Sequence, residues 1–584
     1  MARYCQESIM VRRSGIAGIA VVLFVCAAAA AEERLDRGLV ALKTADGRVY
    51  LGWRLRADDP RDAAFNVYRH GSNDPTATRL TASPIGDCTN YVDGNPPADA
   101  KYFIRPVSAG TEGEPSPAVA VTDTSGAASC VRIKLQGNYG FQKCALADLD
   151  GDGRLDYIIK QPDFNTDPYQ HPGYWKRSED TYKIEAYNHD GRFMWRYDMG
   201  WSIEEGVWYS PYLAYDLDGD GRAEIYTKAG EGDPRDEKGL VTSGPEWLVK
   251  IDGLTGKVTR RLPWPDRSGY AGYNYWSRNM LAVAYLDGRQ PALIVQRGTY
   301  DVIKVEAYDP ELRLIWRWDS RSEKERYNGS GSHGTRAADV DGDGRDELIL
   351  GSSVLDDNGR GLWVNPMSHP RSSHPDVCSV GDIDPDRPGL EIFYGYEVDQ
   401  PRNGVCLVDA ATGRILWGFE GPTYHVHGFG MVADIIAAHP GQECYAGEKE
   451  HGQYFLYTAK GERIGKEKIN SLSPSAIWWD DDAQKELILS GRIQQYRGQV
   501  YESVQGSPVA IADCLGDWRE EILTSVPGEL RIYTTTIPTN VRRTCLMQDR
   551  QYRLGVAAVS MGYFYWPQLS LAGAARFAEA RKAR

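Results

Sequence analysis

A nine-residue acidic loop recurs along the chain, with the form D-x-D-x-D-G-x-x-[DE]. Three near-identical copies begin at Asp148, Asp216 and Asp339, and a variant begins at Asp382. Each copy follows a short apolar stretch and precedes a β-rich one, and weaker echoes occur towards the carboxyl end. Repetition of one unit over most of a 584-residue chain disfavours a set of unrelated domains and predicts a repeat architecture.

A second repeated element alternates with the acidic loop: a strand, a glycine turn and a strand that carries a tryptophan. It recurs before Trp195, Trp316, Trp363 and Trp417. Two hairpins in each period of about 60 residues make a four-stranded blade, which is typical of a β-propeller. Residues 130–584 are therefore predicted to form an all-β propeller, and their length allows seven or eight blades.

Residues 35–124 precede the repeat and show a different pattern. Alternating stretches at 49–53, 65–68 and 102–107 are typical of strands, and turn residues separate them. The segment is predicted to be a small β-sandwich of the fibronectin type III kind. Its expected role is packing or spacing rather than ligand binding.

Residues 1–31 have the pattern of a secretory signal. Arg12 and Arg13 precede an uncharged, mostly apolar run that ends in five alanines. A membrane anchor is the alternative, because a run of about 18 residues is near the lower limit for spanning. Glycine and alanine dilute the run and favour cleavage. The mature protein is thus expected to be secreted, periplasmic or at the cell surface, without a membrane segment.

The composition narrows the set of partners. Acidic residues outnumber basic ones by 81 to 67, and the resulting net charge of -14 disfavours nucleic-acid binding. Sixteen tryptophans and 35 tyrosines provide surfaces that can stack on sugars. Of the ten cysteines, none has a zinc-site spacing, and their pairing cannot be read from the sequence. A monomer is expected.

The acidic loops have the spacing of oxygen-ligated calcium sites. Carboxylates at positions 1, 3 and 5 point inward, the acid at position 9 closes the shell, and glycine at position 6 permits the turn. Hard oxygen ligands suit Ca²⁺ better than zinc or copper. The alternative is an Asx-turn loop without metal, and any bound ions are expected to be structural. The predicted ligands are Asp148, Asp150, Asp152, Asp156, Asp216, Asp218, Asp220, Glu224, Asp339, Asp341, Asp343, Glu347, Asp382, Asp384, Asp386 and Glu391.

Six further motifs follow one another along the chain, and their order and coverage resemble the family 11 polysaccharide lyases, the rhamnogalacturonan lyases. The resemblance implies an eight-bladed propeller behind a fibronectin-like domain, several Ca²⁺ ions, and cleavage of the rhamnogalacturonan I backbone of pectin by β-elimination. The motifs are 243–247 (SGPEW), 284–288 (AYLDG), 333–339 (HGTRAAD), 380–391 (VGDIDPDRPGLE), 515–521 (LGDWREE) and 552–556 (YRLGV).

β-Elimination makes definite chemical demands on a site. The C5 proton of a galacturonate is weakly acidic, and a cation on the C6 carboxylate holds the charge that develops when this proton leaves. A base must take the proton, and an acid must meet the departing O4. A central Ca²⁺ is the expected electrophile, with arginine, lysine, tyrosine or histidine for proton transfer.

The sequence departs from the family pattern at several of these positions. Phe429 stands where the family usually has arginine, and 502–505 (ESVQ) stands where it usually has Asn-Gly-Thr-Lys. The segment 373–379 keeps one histidine and the aspartate of its motif, and 562–567 keeps the tyrosine. The resemblance is therefore stronger in structure than in catalytic residues.

Several residues remain as candidates for catalysis. His333 and His374 match motif positions at the central face of the family's propeller, and His425 and His427 flank the position of the missing arginine. A histidine can act as a base near neutral pH. The alternative for each histidine is a core or turn role, and for each aromatic residue a packing role. The predicted catalytic residues are His333, His374, His427 and Tyr563, and the predicted substrate-binding residues are Arg336, Tyr565 and Trp566.

The sequence thus predicts a secreted lyase that acts on a uronic-acid-containing polysaccharide. A non-catalytic carbohydrate-binding or adhesion propeller is the alternative, because the arginine and lysine are missing and fold alone does not fix function. A hydrolase is less favoured, since the identifiable carboxylates belong to the metal loops.

Overall fold

The computed structural model describes residues 34–71, 76–124, 130–169, 175–324, 327–365, 374–469, 473–559 and 567–570. Over these residues the protein is almost entirely β, and no helix among them is long and apolar enough to cross a membrane. The predicted signal, 1–31, lies outside the described residues.

The first unit consists of two antiparallel sheets, one of three strands and one of five. They enclose a core that includes Trp53, Phe65, Tyr102 and Ile104. Its strands are β1 (Val40–Lys43), β2 (Val49–Gly52), β3 (Ala64–His70), β4 (Thr78–Arg79), β5 (Asn90–Asp93), β6 (Lys101–Ser108), β7 (Thr111–Glu112) and β8 (Val119–Ala120).

The remaining strands form eight four-stranded antiparallel sheets, a β-propeller-type all-β fold. In seven sheets, four consecutive strands pair in chain order. The eighth joins the two ends of the repeat, because its last strand, β9, comes from the start. The strands are β9 (Cys130–Lys134), β10 (Lys143–Ala147), β11 (Asp156–Gln161), β12 (Lys183–Tyr187), β13 (Phe193–Asp198), β14 (Tyr212–Tyr215), β15 (Glu224–Gly230), β16 (Glu246–Ile251), β17 (Val258–Pro263), β18 (Asn279–Ala284), β19 (Ala292–Arg297), β20 (Lys304–Tyr308), β21 (Leu314–Asp319), β22 (Gly331–Ala338), β23 (Glu347–Gly351), β24 (Ser353–Leu355), β25 (Gly361–Val364), β26 (Pro375–Gly381), β27 (Glu391–Tyr396), β28 (Val405–Asp409), β29 (Ile415–Gly418), β30 (Val426–Ala433), β31 (Glu443–Glu448), β32 (Tyr454–Tyr457), β33 (Arg463–Gly465), β34 (Ser475–Ile477), β35 (Glu486–Leu489), β36 (Arg492–Gln494), β37 (Val500–Ser503), β38 (Ser507–Ala512), β39 (Glu521–Val526) and β40 (Glu529–Tyr533).

The acidic loops connect the first and second strands of their sheets. Each begins directly after a first strand, and its closing acid opens the second strand, as Glu347 opens β23 and Glu391 opens β27. First strands of neighbouring sheets contact one another, as β18, β22, β26 and β30 do in turn. These first strands all end at acidic loops. The residues at their starts therefore lie together on the face opposite the loops.

A short helix, α2 (Arg550–Val559), packs against the first strands β10, β14, β18, β22 and β38. Its residues from Tyr552 to Val559 are buried, and Leu554 and Ala557 join the apolar cluster of β18 and β19. The sequence analysis did not predict this helix. The other helical segments are α1 (Tyr273–Trp276) and the 3-10 turns Gly200–Ser202, Ser320–Ser322 and Leu546–Gln548.

A buried polar network joins the first unit to the eighth sheet. The Tyr50 hydroxyl donates to Asp517 Oδ2 at 2.8 Å, and Arg519 Nη2 binds the same oxygen at 2.8 Å. Arg54 Nη2 donates to the Cys514 carbonyl at 2.7 Å. Burial alone would raise the pKa of Asp517, but the Arg519 guanidinium lowers it below its usual value.

Replacement of Asp517 by alanine is expected to lower the free energy of unfolding by about 3–5 kcal/mol, because Arg519 would stay buried without its counterion. Asp46→Ala is the matched control, since Asp46 and its partner Arg48 are each more than half exposed. That control is expected to leave the free energy of unfolding nearly unchanged, because exposed ion pairs contribute little. Urea denaturation measures both, and equal losses would contradict the prediction.

Candidate active site

Four histidines converge at the entry ends of three neighbouring first strands. His333 lies in β22, His374 directly precedes β26, and His425 and His427 lie at the start of β30. They lie on the face opposite the acidic loops. The structure thus brings together three of the predicted catalytic residues, His333, His374 and His427.

The carboxylate of Asp376 is the centre of this cluster and is fully buried. Its Oδ1 lies 2.7 Å from His333 Nε2 and 3.1 Å from His374 Nε2. Its Oδ2 makes a close contact with His427 Nδ1. Burial alone would raise the pKa of Asp376, but His333 and the hydrogen bonds of His374 and His427 hold it well below its usual value.

Glu397 provides a second carboxylate beside the same imidazoles. Its Oε2 lies 3.6 Å from His374 Nε2, and its Oε1 lies 3.7 Å from His425 Nε2. The Nδ1 atom of His425 contacts Glu450 Oε2 at 2.9 Å. His425, His427 and Glu397 are partly exposed, whereas His333 and His374 are buried, so the cluster opens to solvent on the His425 side.

Aromatic rings and one guanidinium cover the other side of the cluster. Trp208 packs on His333 with ring centroids 5.1 Å apart, and Tyr300 packs on His374 at 4.3 Å. The guanidinium of Arg278 lies over both rings, 4.8 Å from the Trp208 centroid and 4.9 Å from that of Tyr300. Burial on this side lowers the pKa of His333.

The cluster has the donors of a divalent cation site. One ligand atom from each of His333, His374, Asp376 and Glu397 lies within 4.8 Å of every other. Two imidazoles and two carboxylates around one point are a recurrent protein metal shell. The arrangement can therefore hold a cation at a face that solvent reaches.

The first three acidic loops share one internal contact. The carboxylate at position 1 accepts amide hydrogens from positions 4 and 6, as Asp339 does from Gly342 at 2.8 Å and Gly344 at 3.0 Å. In the first, third and fourth loops the closing acid accepts a loop amide with one oxygen, as Glu347 Oε2 does from Val340 at 2.8 Å.

The remaining loop oxygens fit a cation. Asp150 Oδ1, Glu347 Oε1 and Asp382 Oδ1 are buried and accept no hydrogen bond. Burial raises the pKa of Asp148 to about 6 and that of Glu347 to about 8. Buried carboxylates without donors are costly unless a positive charge meets them, so these loops fit Ca²⁺.

The second loop differs from the others. The Lys250 ammonium lies 2.7 Å from Glu224 Oε1 and 3.6 Å from Asp218 Oδ2. Of this loop, Asp216, Asp218 and Asp220 still lie close enough together to share an ion. The closing acid Glu224 already has a cationic partner in Lys250.

Of the other predicted substrate-binding and catalytic residues, the structure describes only Arg336. Arg336 lines a cavity between β22, β26 and α2, together with Gln551 and Gly555, and burial lowers the pKa of its guanidinium. Tyr563, Tyr565 and Trp566 lie outside the described residues. Phe429 is buried in β30, with Lys468 Nζ 5.6 Å from its ring centroid.

The sequence analysis did not include Asp376 or Glu397 among the predicted site residues, and it named His425 only as a candidate. The sequence did contain a pattern from which the position of Glu397 could have been predicted. Because Glu391 closes an acidic loop and opens β27, the residue just past the end of this strand must return to the opposite face. Trp208, Tyr300 and Arg278 reach the cluster from other sheets. No local sequence pattern could therefore have predicted their contacts with it.

The eight cysteines of the described residues are all free thiols and all buried. They behave as small apolar core residues.

Comparisons with known proteins match both parts of the chain. The sequence profile for "Rhamnogalacturonan lyase family 11, C-terminal domain" matches residues 134–580, and that for "Rhamnogalacturonan I lyases beta-sheet domain" matches residues 30–122. The rhamnogalacturonan endolyase YesW of Bacillus subtilis (strain 168) is 37% identical over 592 residues, which cover 92% of this chain and 90% of YesW. The rhamnogalacturonan exolyase YesX of the same organism is 34% identical, with 92% and 94% covered.

Solved structures agree with the sequence matches. The crystal structure of the exotype rhamnogalacturonan lyase YesX superposes with a TM-score of 0.84 at 33% identity, covering 93% of this chain and 96% of that one. The Bacillus licheniformis rhamnogalacturonan lyase PL11 gives a TM-score of 0.83 at 36% identity, with 93% and 97% covered. The propeller-type fold and the likeness to these enzymes define a polysaccharide lyase. The chain belongs to rhamnogalacturonan lyase family 11.

Proposed function

We propose that this protein cleaves the backbone of rhamnogalacturonan I by β-elimination at the histidine–carboxylate cluster. The observation that carries the proposal is the convergence of His333, His374, Asp376 and Glu397 around one point on a solvent-reached face. Two relatives that match over nine-tenths of the chain are named for cleavage of rhamnogalacturonan, one as an endolyase and one as an exolyase.

A divalent cation bound at these four residues would neutralise the C6 carboxylate of a galacturonate and so make its C5 proton more acidic. Residues of the protein orient the ligand side chains for this cation and shield them from solvent. Asp376 fixes the ring orientations of His333, His374 and His427 through its two oxygens. Trp208 and Tyr300 keep solvent from the buried side.

Proton transfer is assigned to the exposed side of the cluster. His427 is about one-sixth exposed, with a side-chain exposure of 17%, and it touches the central carboxylate. It can accept the C5 proton, and Tyr563 is the predicted alternative for this step and for protonation of the leaving O4.

The remaining predictions about the whole protein belong to this proposal. The eight sheets act as eight blades of the propeller, residues 130–584, and residues 35–124 form a fibronectin-like sandwich that braces it. Ca²⁺ ions in the acidic loops stabilise the blades. The protein is exported as a monomer after cleavage of residues 1–31.

Incubation with rhamnogalacturonan I and a divalent cation is expected to release unsaturated uronate ends, which absorb in the ultraviolet. His333→Ala is expected to reduce the rate by roughly 10²-fold, in line with the loss of one electrostatic contact in an active site. His451→Gln is the control, because His451 is an exposed imidazole that packs on Tyr424. New reducing ends without ultraviolet absorbance would indicate hydrolysis, and polymer retention without either product would indicate a binding protein.

A further inference from the structure

The two carboxylates of the cluster each face two groups of imidazoles. Asp376 turns Oδ1 towards His333 and His374 and Oδ2 towards His427. Glu397 turns Oε2 towards His374 and Oε1 towards His425. Each carboxylate therefore presents one oxygen to the buried pair of histidines and the other oxygen to the partly exposed pair.

The partly exposed pair forms its own ligand set. One ligand atom from each of Glu397, His425 and His427 lies within 4.8 Å of the others. The rings of His425 and His427 have centroids 5.0 Å apart. This set offers two nitrogens and one carboxylate oxygen, and the Oδ2 atom of Asp376 contacts His427 Nδ1.

His425 has the surroundings of a metal-ligating histidine. Its Nδ1 contacts the Glu450 carboxylate at 2.9 Å, which fixes the proton on that nitrogen and leaves Nε2 as the acceptor. This Nε2 atom is buried, and its 3.7 Å separation from Glu397 Oε1 is too long for a hydrogen bond. A carboxylate behind a histidine whose other nitrogen points into a shared site is the usual outer shell of a metal centre.

We propose that His425 and His427, with the outward oxygen of Glu397, form a second metal half-site that binds a borderline divalent ion such as Zn²⁺, Co²⁺ or Ni²⁺. Imidazole nitrogen favours these ions over Ca²⁺, which prefers a shell made of oxygen. Glu397 would be shared between the two half-sites, since its other oxygen faces His374.

The second ion changes the role of His427 in the proposed function. This consequence rests on the proposed function, whereas the metal site itself does not. A metal-bound His427 has no lone pair left to accept the C5 proton. The base is then a residue outside the cluster, and Tyr563 is the predicted one that remains. The second ion also adds positive charge at the side from which an anionic polymer approaches.

The test uses Co²⁺ as the probe, because imidazole ligands give Co²⁺ visible absorption bands. The full-length protein is stripped of metal, supplied with excess Ca²⁺ to fill the acidic loops, titrated with Co²⁺ and desalted. Metal analysis is expected to find one more Co²⁺ per chain in the wild type than in the double variant His425→Ala/His427→Ala. His451→Gln, which removes a neighbouring imidazole, is expected to match the wild type.

Glu450→Gln tests the outer shell and is expected to weaken Co²⁺ binding by about 10–100-fold while keeping the site. A wild type that holds no more Co²⁺ than the double variant overturns the proposal. If the double variant fails to fold, wild-type crystals grown with Co²⁺ decide, since the anomalous map must show a peak between His425 and His427, and its absence overturns the proposal. Ultraviolet product formation with Ca²⁺ alone tests the lyase reaction separately.

Discussion

Replacement of Asp376 by asparagine is expected to lower kcat/KM on rhamnogalacturonan I by roughly 10³-fold, the upper end of what one active-site electrostatic group contributes. The substitution keeps the shape of the side chain and removes its charge. Both oxygens of Asp376 contact imidazoles, so the variant loses the one carboxylate charge that both sides of the cluster contact. Initial rates of ultraviolet product formation measure the effect.

Asp93→Asn is the matched control for the loss of a buried charge. Asp93 is also buried and also pairs with a cation, Arg69, at 2.6 Å, but it lies in the first unit. This control is expected to lower stability and leave kcat/KM unchanged. If Asp376→Asn retained more than a tenth of the wild-type rate, the cluster would not be the catalytic centre.

The sequence could predict those parts of the fold that depend on residues close together in the chain. The acidic loops have ligands within nine residues of one another, so their geometry was predictable from the chain alone. The closing acids also mark the first residue of β11, β15, β23 and β27. The pairing of β40 with β9 joins residues almost 400 positions apart and has no local signal, and the same holds for the burial of α2.

The candidate site, too, could be predicted only where its residues lie within local sequence motifs. His333 and His374 belong to motifs and could be predicted. Asp376 lies two residues after His374, in the segment 373–379, which keeps only part of the family motif. The histidines became a cluster only because β22, β26 and β30 are neighbouring first strands that enter from one face. Arg336 shares β22 with His333, yet its side chain lines the cavity against α2.

Removal of divalent cations is expected to cause the largest loss of stability. Each filled site contributes about 2.7 kcal/mol when free Ca²⁺ is 100 times its Kd, and several acidic loops act together. At pH 8 a chelator is expected to lower the Tm on the order of 10 °C relative to excess Ca²⁺. Differential scanning calorimetry measures the difference.

The same loops give the metal-free protein an unusual pH dependence. Burial raises the pKa of Glu347 to about 8 and that of Glu391 to about 7, above the ordinary glutamate value of 4.5. Between pH 4.5 and 8 the folded state therefore binds more protons than the unfolded state, and its stability falls as the pH rises. Excess Ca²⁺ is expected to remove this decline, because the cation takes the place of the protons.

The decisive comparison is the gain in Tm on adding Ca²⁺ at two pH values. The gain is expected to be larger at pH 8 than at pH 5.5, because protons compete for the same carboxylates. Glu347→Gln is expected to reduce the gain at pH 8, whereas Glu311→Gln, at an exposed side chain, is expected to leave it unchanged. A gain that is equal at both pH values would show that these carboxylates do not bind the ion. The loops would then be held by their own hydrogen bonds, as the contacts of Asp339 with Gly342 and Gly344 would allow.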